Sequence, residues 1–189
     1  IDAGAELAGY AADITRTFPV SGQFSQAQRS LYQLVLDAQN ATIKAIKPGE
    51  SLGNLNTIAN VILTEGLLNL GLLTGDLESL IEEKACKKYF IHGLGHWLGL
   101  DVHDVGDYGI DENRRQARSF EAGMVMTIEP GLYIPLDDMS VDERWRGIAI
   151  RIEDNILVTE QGYENLTTTA PKEIADIEAL MAAAKAQRT

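Results

Sequence analysis

A chain of 189 residues, 45% hydrophobic and 23% charged, falls within the range of one soluble globular domain and outside that of a disordered chain. Its 28 Asp and Glu against 16 Lys and Arg leave a net charge of −12, which excludes the dense basic face that nucleic-acid phosphates require. Part of that charge has another use: four carboxylates holding two divalent cations would bring it closer to neutral by about four units. One cysteine, Cys86, excludes an internal disulfide and fits a reducing, cytoplasmic compartment. Flanked by lysines but with no base assigned to it, it reads as inert or structural. No transmembrane run or signal peptide is recognisable; the apolar stretch from Ile62 to Leu73 is short and interrupted by Thr64, Glu65 and Asn69.

The chain opens on Ile1-Asp2-Ala3-Gly4, which reads as the end of a strand without a lead-in and predicts the C-terminal piece of a longer chain. Ile1–Asp2 and Tyr10–Phe18 read as strands, with Ala3-Gly4-Ala5-Glu6 turning between them. Ser25, followed three residues later by Gln28, forms a capping box and starts a helix with Leu31, Val35, Ala38 and Ile46 as its stripe; Pro48-Gly49 stops it. A second helix is predicted over Leu52–Leu70 and a short third from Leu77 to Lys87. Tyr89–His92 reads as extended, and Gly93, Gly95 and Gly99 follow. Met124–Glu129 and Gly147–Glu153 alternate as strands; in the second, Ile148, Ile150 and Ile152 share one face and Ala149, Arg151 and Glu153 the other. A last helix begins near Pro171, with Ile174, Ile177, Leu180 and Met181 as its stripe. Strands and helices in separate runs predict an α+β fold with a mixed sheet.

The three histidines, His92, His96 and His103, lie within twelve positions, among glycines and beside Asp101 and Asp104. Such a grouping points to a metal or an active site. His92 and His96 have the spacing of a zinc helix, but Gly93-Leu94-Gly95 between them carries no general-base glutamate and disfavours a helix. Asp2 and Asp13 fall on two strands that a turn can bring together, and Glu129 ends a strand before Pro130-Gly131. Glu153 shares a face with Arg151 on a strand whose other face is apolar; if both faces are covered, that charge must be paired or bound to a cation. Any one of these acids alone reads as a solvated surface group. Four carboxylates with one imidazole have a specific use: they balance two divalent ions, and a water bridging such ions loses its proton far more easily than bulk water. Oxygen-rich ligation favours hard ions such as manganese.

Asp2–Glu6 and Tyr10–Phe18 resemble the first two metal-ligand strands of the pita-bread (creatinase/aminopeptidase-like) metallopeptidases. His92–Asp104 resembles their histidine segment, and Thr127–Tyr133 and Gly147–Asp154 resemble their two glutamate strands. The four blocks stand in the family's order from Asp2 to Asp154, and the wording of Trp97–His103 and Arg16–Pro19 is similar to the proline-specific, Xaa-Pro aminopeptidase branch. The resemblance implies a curved mixed sheet with helices on its outside and two divalent metal ions, manganese foremost. It implies Asp2 as a ligand of one ion, Asp13 and Glu153 as bridging carboxylates, and His96 and Glu129 as ligands of the other ion. Glu129 would also shuttle a proton. His92 and His103 would bind substrate and stabilise the oxygen charge that develops at the attacked carbonyl, and Arg151 would lie near the substrate-side carboxylates. The implied reaction is hydrolysis of the bond between an N-terminal residue and a following proline, by a metal-bridging hydroxide.

In that family an N-terminal domain and the first part of the catalytic domain precede the first ligand. The resemblance therefore implies that residues 1–189 are the C-terminal portion of the catalytic domain, with an open sheet edge and exposed apolar surface. It implies a homo-oligomeric parent, or a second chain that supplies the missing half-domain. Proline dipeptidase, with the same metals but only dipeptides as substrates, is the nearest alternative activity. Methionine aminopeptidase fits less well around His96 and Glu153. A pita-bread fold used as a non-enzymatic binding module is the alternative of another kind. Peptides with proline in second position are the expected partners, not nucleic acid or a membrane.

Overall fold

The computed structural model describes residues 1–110 and 116–187. The chain begins with a hairpin built from β1 (Asp2–Ala3), β2 (Glu6–Leu7), β3 (Tyr10–Ala11) and β4 (Ile14–Thr15). Asp2 pairs with Thr15, Ala3 with Ile14, Glu6 with Ala11 and Leu7 with Tyr10, one register without slip. The turn expected at Ala3–Glu6 lies instead at Ala8-Gly9, where φ is 54° and 86°. Two successive left-handed residues are what a tight hairpin turn requires, and Gly9 takes the second at little cost. Ala3 to Glu6 only interrupts the ladder, so the single strand predicted for Tyr10–Phe18 is divided as well.

Helix α1 spans Gln26–Ala45 and begins with the predicted capping box: the Ser25 hydroxyl accepts from Gln28 N–H, and the Gln28 side chain accepts from Ser25 N–H. Helix α2 (Leu52–Asn69) starts at Ser51, and the two helices pack together. Helix α3 (Leu77–Glu82) stops short of the predicted Lys87. Lys84, with φ of 54°, breaks it, and Ala85–Lys88 forms a single 3-10 turn. That turn buries Cys86, whose thiol lies 3.3 Å from Asn60 Oδ1. Burial pushes the thiol up and outweighs the neighbouring lysine, as an inert cysteine requires. Helix α4 (Ile174–Ala186) starts three residues after Pro171. No helix among the described residues is long and apolar enough to cross a membrane.

The remaining strands are β5 (Val125–Ile128), β6 (Gly131–Tyr133), β7 (Ala149–Arg151), β8 (Asp154–Thr159) and β9 (Gly162–Asn165). The β5–β8 register, from Val125 opposite Leu157 to Ile128 opposite Asp154, continues into β6–β7, from Gly131 opposite Arg151 to Tyr133 opposite Ala149. Two long strands thus run side by side and are interrupted at the same level. Every strand pairing among the described residues is antiparallel, so the parallel pairs of a mixed sheet are not among them.

Tyr89–His92, expected to be extended, forms no strand. The pairing segment comes just after it. Glu129 N–H donates to Leu94 O at 2.7 Å, Thr127 N–H to His96 O at 2.9 Å and Leu98 N–H to Val125 O at 3.1 Å. A Cβ at Gly95 would strike the backbone of Thr127, so only glycine permits this approach. On the other side, Glu153 N–H donates to Thr15 O at 3.1 Å and ties the hairpin to the long strands. One face of this antiparallel surface is covered by α1. Leu31, Val35 and Leu36 join Ile128, Leu132, Ile150, Ile152 and Ile156 in one core, each side chain worth about 1.5–3 kcal/mol of burial.

Candidate metal centre

The strand geometry dictates where the acids meet. In the continuous register of the two long strands, Glu129 stands directly opposite Glu153, and Pro130 opposite Ile152. Cross-strand partners lie close enough for two carboxylates to share a cation. In the hairpin, Asp13 is two residues before the partner of Asp2, so both fall on one face as diagonal neighbours. The Asn155 side chain faces both the carbonyl and the N–H of Asp13 and fixes its backbone across the ladder gap. The tie between Glu153 and Thr15 brings the two acidic pairs together.

His96 arrives on the segment beside β5. Its Nδ1–H donates to Trp97 O at 2.9 Å, which leaves Nε2 as a lone pair 3.4 Å from both Asp13 Oδ2 and Glu129 Oε1. Asp2, Asp13, His92, His96, His103, Glu129, Arg151 and Glu153 line one cavity of about 300 Å³. The sequence singled out all eight, and the fold brings them together. Three overlapping groups have ligand atoms within 4.8 Å of one another: Asp13, His96 and His103; His96, Glu129 and Glu153; and Asp2, Asp13 and Glu153. His103 belongs to the first through its ring, which stacks on His96 at 4.0 Å.

The electrostatics fit a cation. Burial, then the neighbouring acids, pushes Glu153 up to about 8. Burial pushes Glu129 to about 7 and raises Asp13. Glu153 is 1% exposed, and its Oε1 has no hydrogen-bond partner, an arrangement that costs stability unless a positive charge sits there. Four carboxylates and an imidazole lone pair around one cavity supply a donor set suited to hard divalent cations. The residues present therefore fit the group that the sequence implied.

Thr15 and Thr127 position the site although the sequence did not mark them out. Thr15 Oγ1 donates to Glu153 Oε2 at 2.7 Å and accepts from Arg151 Nε at 3.1 Å. Thr127 Oγ1 accepts from His96 N–H at 3.1 Å and lies 3.4 Å from Glu129 Oε1. Arg151 Nη2 pairs with Asp2 at 2.5 Å and offsets part of the negative charge. His92 Nδ1–H donates to Gly93 O at 2.7 Å, and its Nε2 accepts from the Tyr133 hydroxyl at 2.8 Å. Burial holds this imidazole below its ordinary value, so it stays neutral near pH 7. The sequence signal for the two threonines was position: each is two residues from an acid on the same strand face.

The family model for metallopeptidase family M24 matches residues 1–160. Among curated proteins, the chain is 56% identical over 181 residues to Xaa-Pro aminopeptidase of Haemophilus influenzae, covering 96% of this chain and 41% of that protein. It is 52% identical over 187 residues to Xaa-Pro aminopeptidase of Escherichia coli, covering 99% and 41%. It spans about two fifths of the length of these relatives. Among solved structures, it superposes on Pseudomonas aeruginosa aminopeptidase PepP with a TM-score of 0.94 and 49% identity, over 98% of this chain and 41% of that one. Zinc-substituted E. coli aminopeptidase P in complex with product gives 0.92 and 52%, over 97% and 40%. The hairpin, the interrupted long strands and the outer helices are thus part of the pita-bread fold, and the chain belongs to metallopeptidase family M24.

Proposed function

We propose that residues 1–189 are the metal-binding, C-terminal portion of a catalytic domain that removes an N-terminal residue from peptides with proline in second position. The observation that carries this reading is the convergence of Asp2, Asp13, His96, Glu129 and Glu153, with a buried and unpartnered carboxylate oxygen on Glu153. The similarity to two bacterial Xaa-Pro aminopeptidases supports the substrate class. Asp13 and Glu153 would hold two divalent ions between them, Asp2 the first alone, and His96 and Glu129 the second. An all-oxygen and imidazole set favours manganese. Such ions, when bound, would activate a water as nucleophile near neutral pH and polarise the scissile carbonyl.

The chain's own residues do the rest. Glu129, half-buried at the cavity wall, would take the proton released by the attacking water and hand it to the proline nitrogen, which must gain one to leave. His103, at the cavity edge beside His96, would face the carbonyl oxygen and accommodate its charge, while His92, its ring nitrogens taken by Gly93 O and the Tyr133 hydroxyl, would shape the wall of the cavity that receives the substrate. The Arg151–Asp2 pair borders the side where the peptide's amino terminus is received. A cytoplasmic location accords with a lone, buried cysteine.

The test is hydrolysis by the full-length protein carrying these residues, with added Mn²⁺, of a Xaa-Pro-Xaa tripeptide and a Xaa-Pro dipeptide. Release of the first residue from the tripeptide is the expected result. Cleavage of the dipeptide alone moves the assignment to proline dipeptidase, and cleavage of neither by a protein that binds two ions removes the proline specificity.

A further inference from the structure

Gln39 lies in the middle of α1, 0% exposed, and its side chain reaches from the helix into the sheet. Its Nε2 donates to Ile128 O and to Ile152 O, at 3.1 Å each. Its Oε1 accepts from Lys172 Nζ at 2.9 Å, and the same ammonium reaches Asp154 Oδ2 at 2.8 Å. Every polar group of the amide is used, so its burial is not incidental.

The two carbonyls are not arbitrary. Ile128 and Ile152 immediately precede Glu129 and Glu153, at the level where both long strands are interrupted. Ile152 N–H donates to Pro130 O at 3.4 Å, but proline has no N–H to give back. The Ile152 carbonyl would lose its partner from the opposing strand, on a residue that is itself fully buried in the core. Gln39 supplies the missing donor, and its second N–H holds the other strand.

We propose that Gln39 is a positioning residue for the metal centre: its forked contact with Ile128 and Ile152 replaces the rung that Pro130 removes, and sets the spacing between the backbones of Glu129 and Glu153. The proposal rests on reading those glutamates as metal ligands. Outer contacts that orient ligands change metal affinity by roughly 10–100-fold when lost.

The experiment is a titration of the full chain with Co²⁺, followed by calorimetry and by the visible absorption of the bound ion. Gln39→Leu keeps the volume and removes both donors. It is expected to weaken Co²⁺ binding by about ten-fold or more and to change the absorption bands. Pro130→Ala in the Gln39→Leu background returns an N–H opposite Ile152 and is expected to recover part of that affinity. Should Gln39→Leu fail to fold, Gln39→Glu keeps the length and the Lys172 contact, loses the donor, and is expected to show the same loss. A folded variant that binds Co²⁺ within about two-fold of the parent, with unchanged bands, overturns the positioning role whatever its melting temperature. A parent that takes up no Co²⁺ overturns the metal reading itself, a distinguishable failure.

Discussion

The hairpin and the long strands each bring two acids together, by different means. Asp2 and Asp13 are eleven residues apart, joined by a tight turn, and the Asp2 side chain is 52% exposed and paired with Arg151. Glu129 and Glu153 are twenty-four residues apart, meet through the register of two core strands, and are covered by α1 from behind. In the local pair Asp2 is solvated and partly neutralised, and only Asp13 is buried. The long-range pair is desolvated and left with an unsatisfied oxygen, so the fold tolerates two carboxylates there only as neutral acids or beside a cation. Electrostatic frustration is concentrated where the strands are backed by the core, which is where a preorganised centre needs it.

The largest effect that would sharpen this comparison is Glu153→Gln. The variant is expected to bind one divalent ion instead of two by metal analysis, and to lose about 10²–10⁴-fold of peptidase activity, the range for removing a group that activates the reaction. The metal-free variant should nevertheless melt higher than the metal-free parent at pH 8, because a buried charge is gone. A variant that still holds two ions removes Glu153 from the bridging position.

Next in size is the pH course of metal-free stability. Glu129 rises from its ordinary 4.5 to about 7, and Glu153 to about 8. A group with a raised folded value holds its proton longer in the folded state, so its contribution is full below 4.5 and is lost as pH rises through 7 and 8. The metal-free chain should therefore melt roughly 5 °C lower at pH 8 than at pH 5, and added Mn²⁺ should recover the difference. A melting temperature that climbs over the same window would break the contrast between the two acidic pairs.

The smallest expected effect is on the hairpin side. Gly9→Ala forces a side chain into a residue with φ of 86° and should cost about 1 kcal/mol by chemical unfolding. Because the hairpin carries only Asp2 and Asp13, a weakening of one Mn²⁺ site more than the other is the expected signature. Equal weakening of both would mean that the hairpin and the long strands act as one unit.

Local signals were legible where a few neighbouring residues decide the outcome. Ser25 and Gln28 cap α1 through atoms three residues apart, so the capping box could be read directly. The histidine cluster and the acids on alternating strands were equally plain, and the cavity gathers all of them. The hairpin turn was misplaced because the small residues of Ala3–Ala5 look like a turn, while the left-handed geometry at Ala8-Gly9 leaves only one glycine as a trace. Helix α3 was drawn too long because a left-handed lysine has no compositional signature.

What the sequence alone determined is the chemistry: which carboxylates and imidazoles are available, in what order, and on which kind of element. What only the tertiary structure decided is their pairing. Glu129 faces Glu153 because a register spanning twenty-four residues says so, and register is an energy of the whole covered sheet rather than of either strand. Thr15, Thr127 and Gln39 became positioning residues only once the strands and α1 had been brought beside the acids. Nothing in a threonine or a glutamine announces which distant carboxylate or carbonyl it will meet.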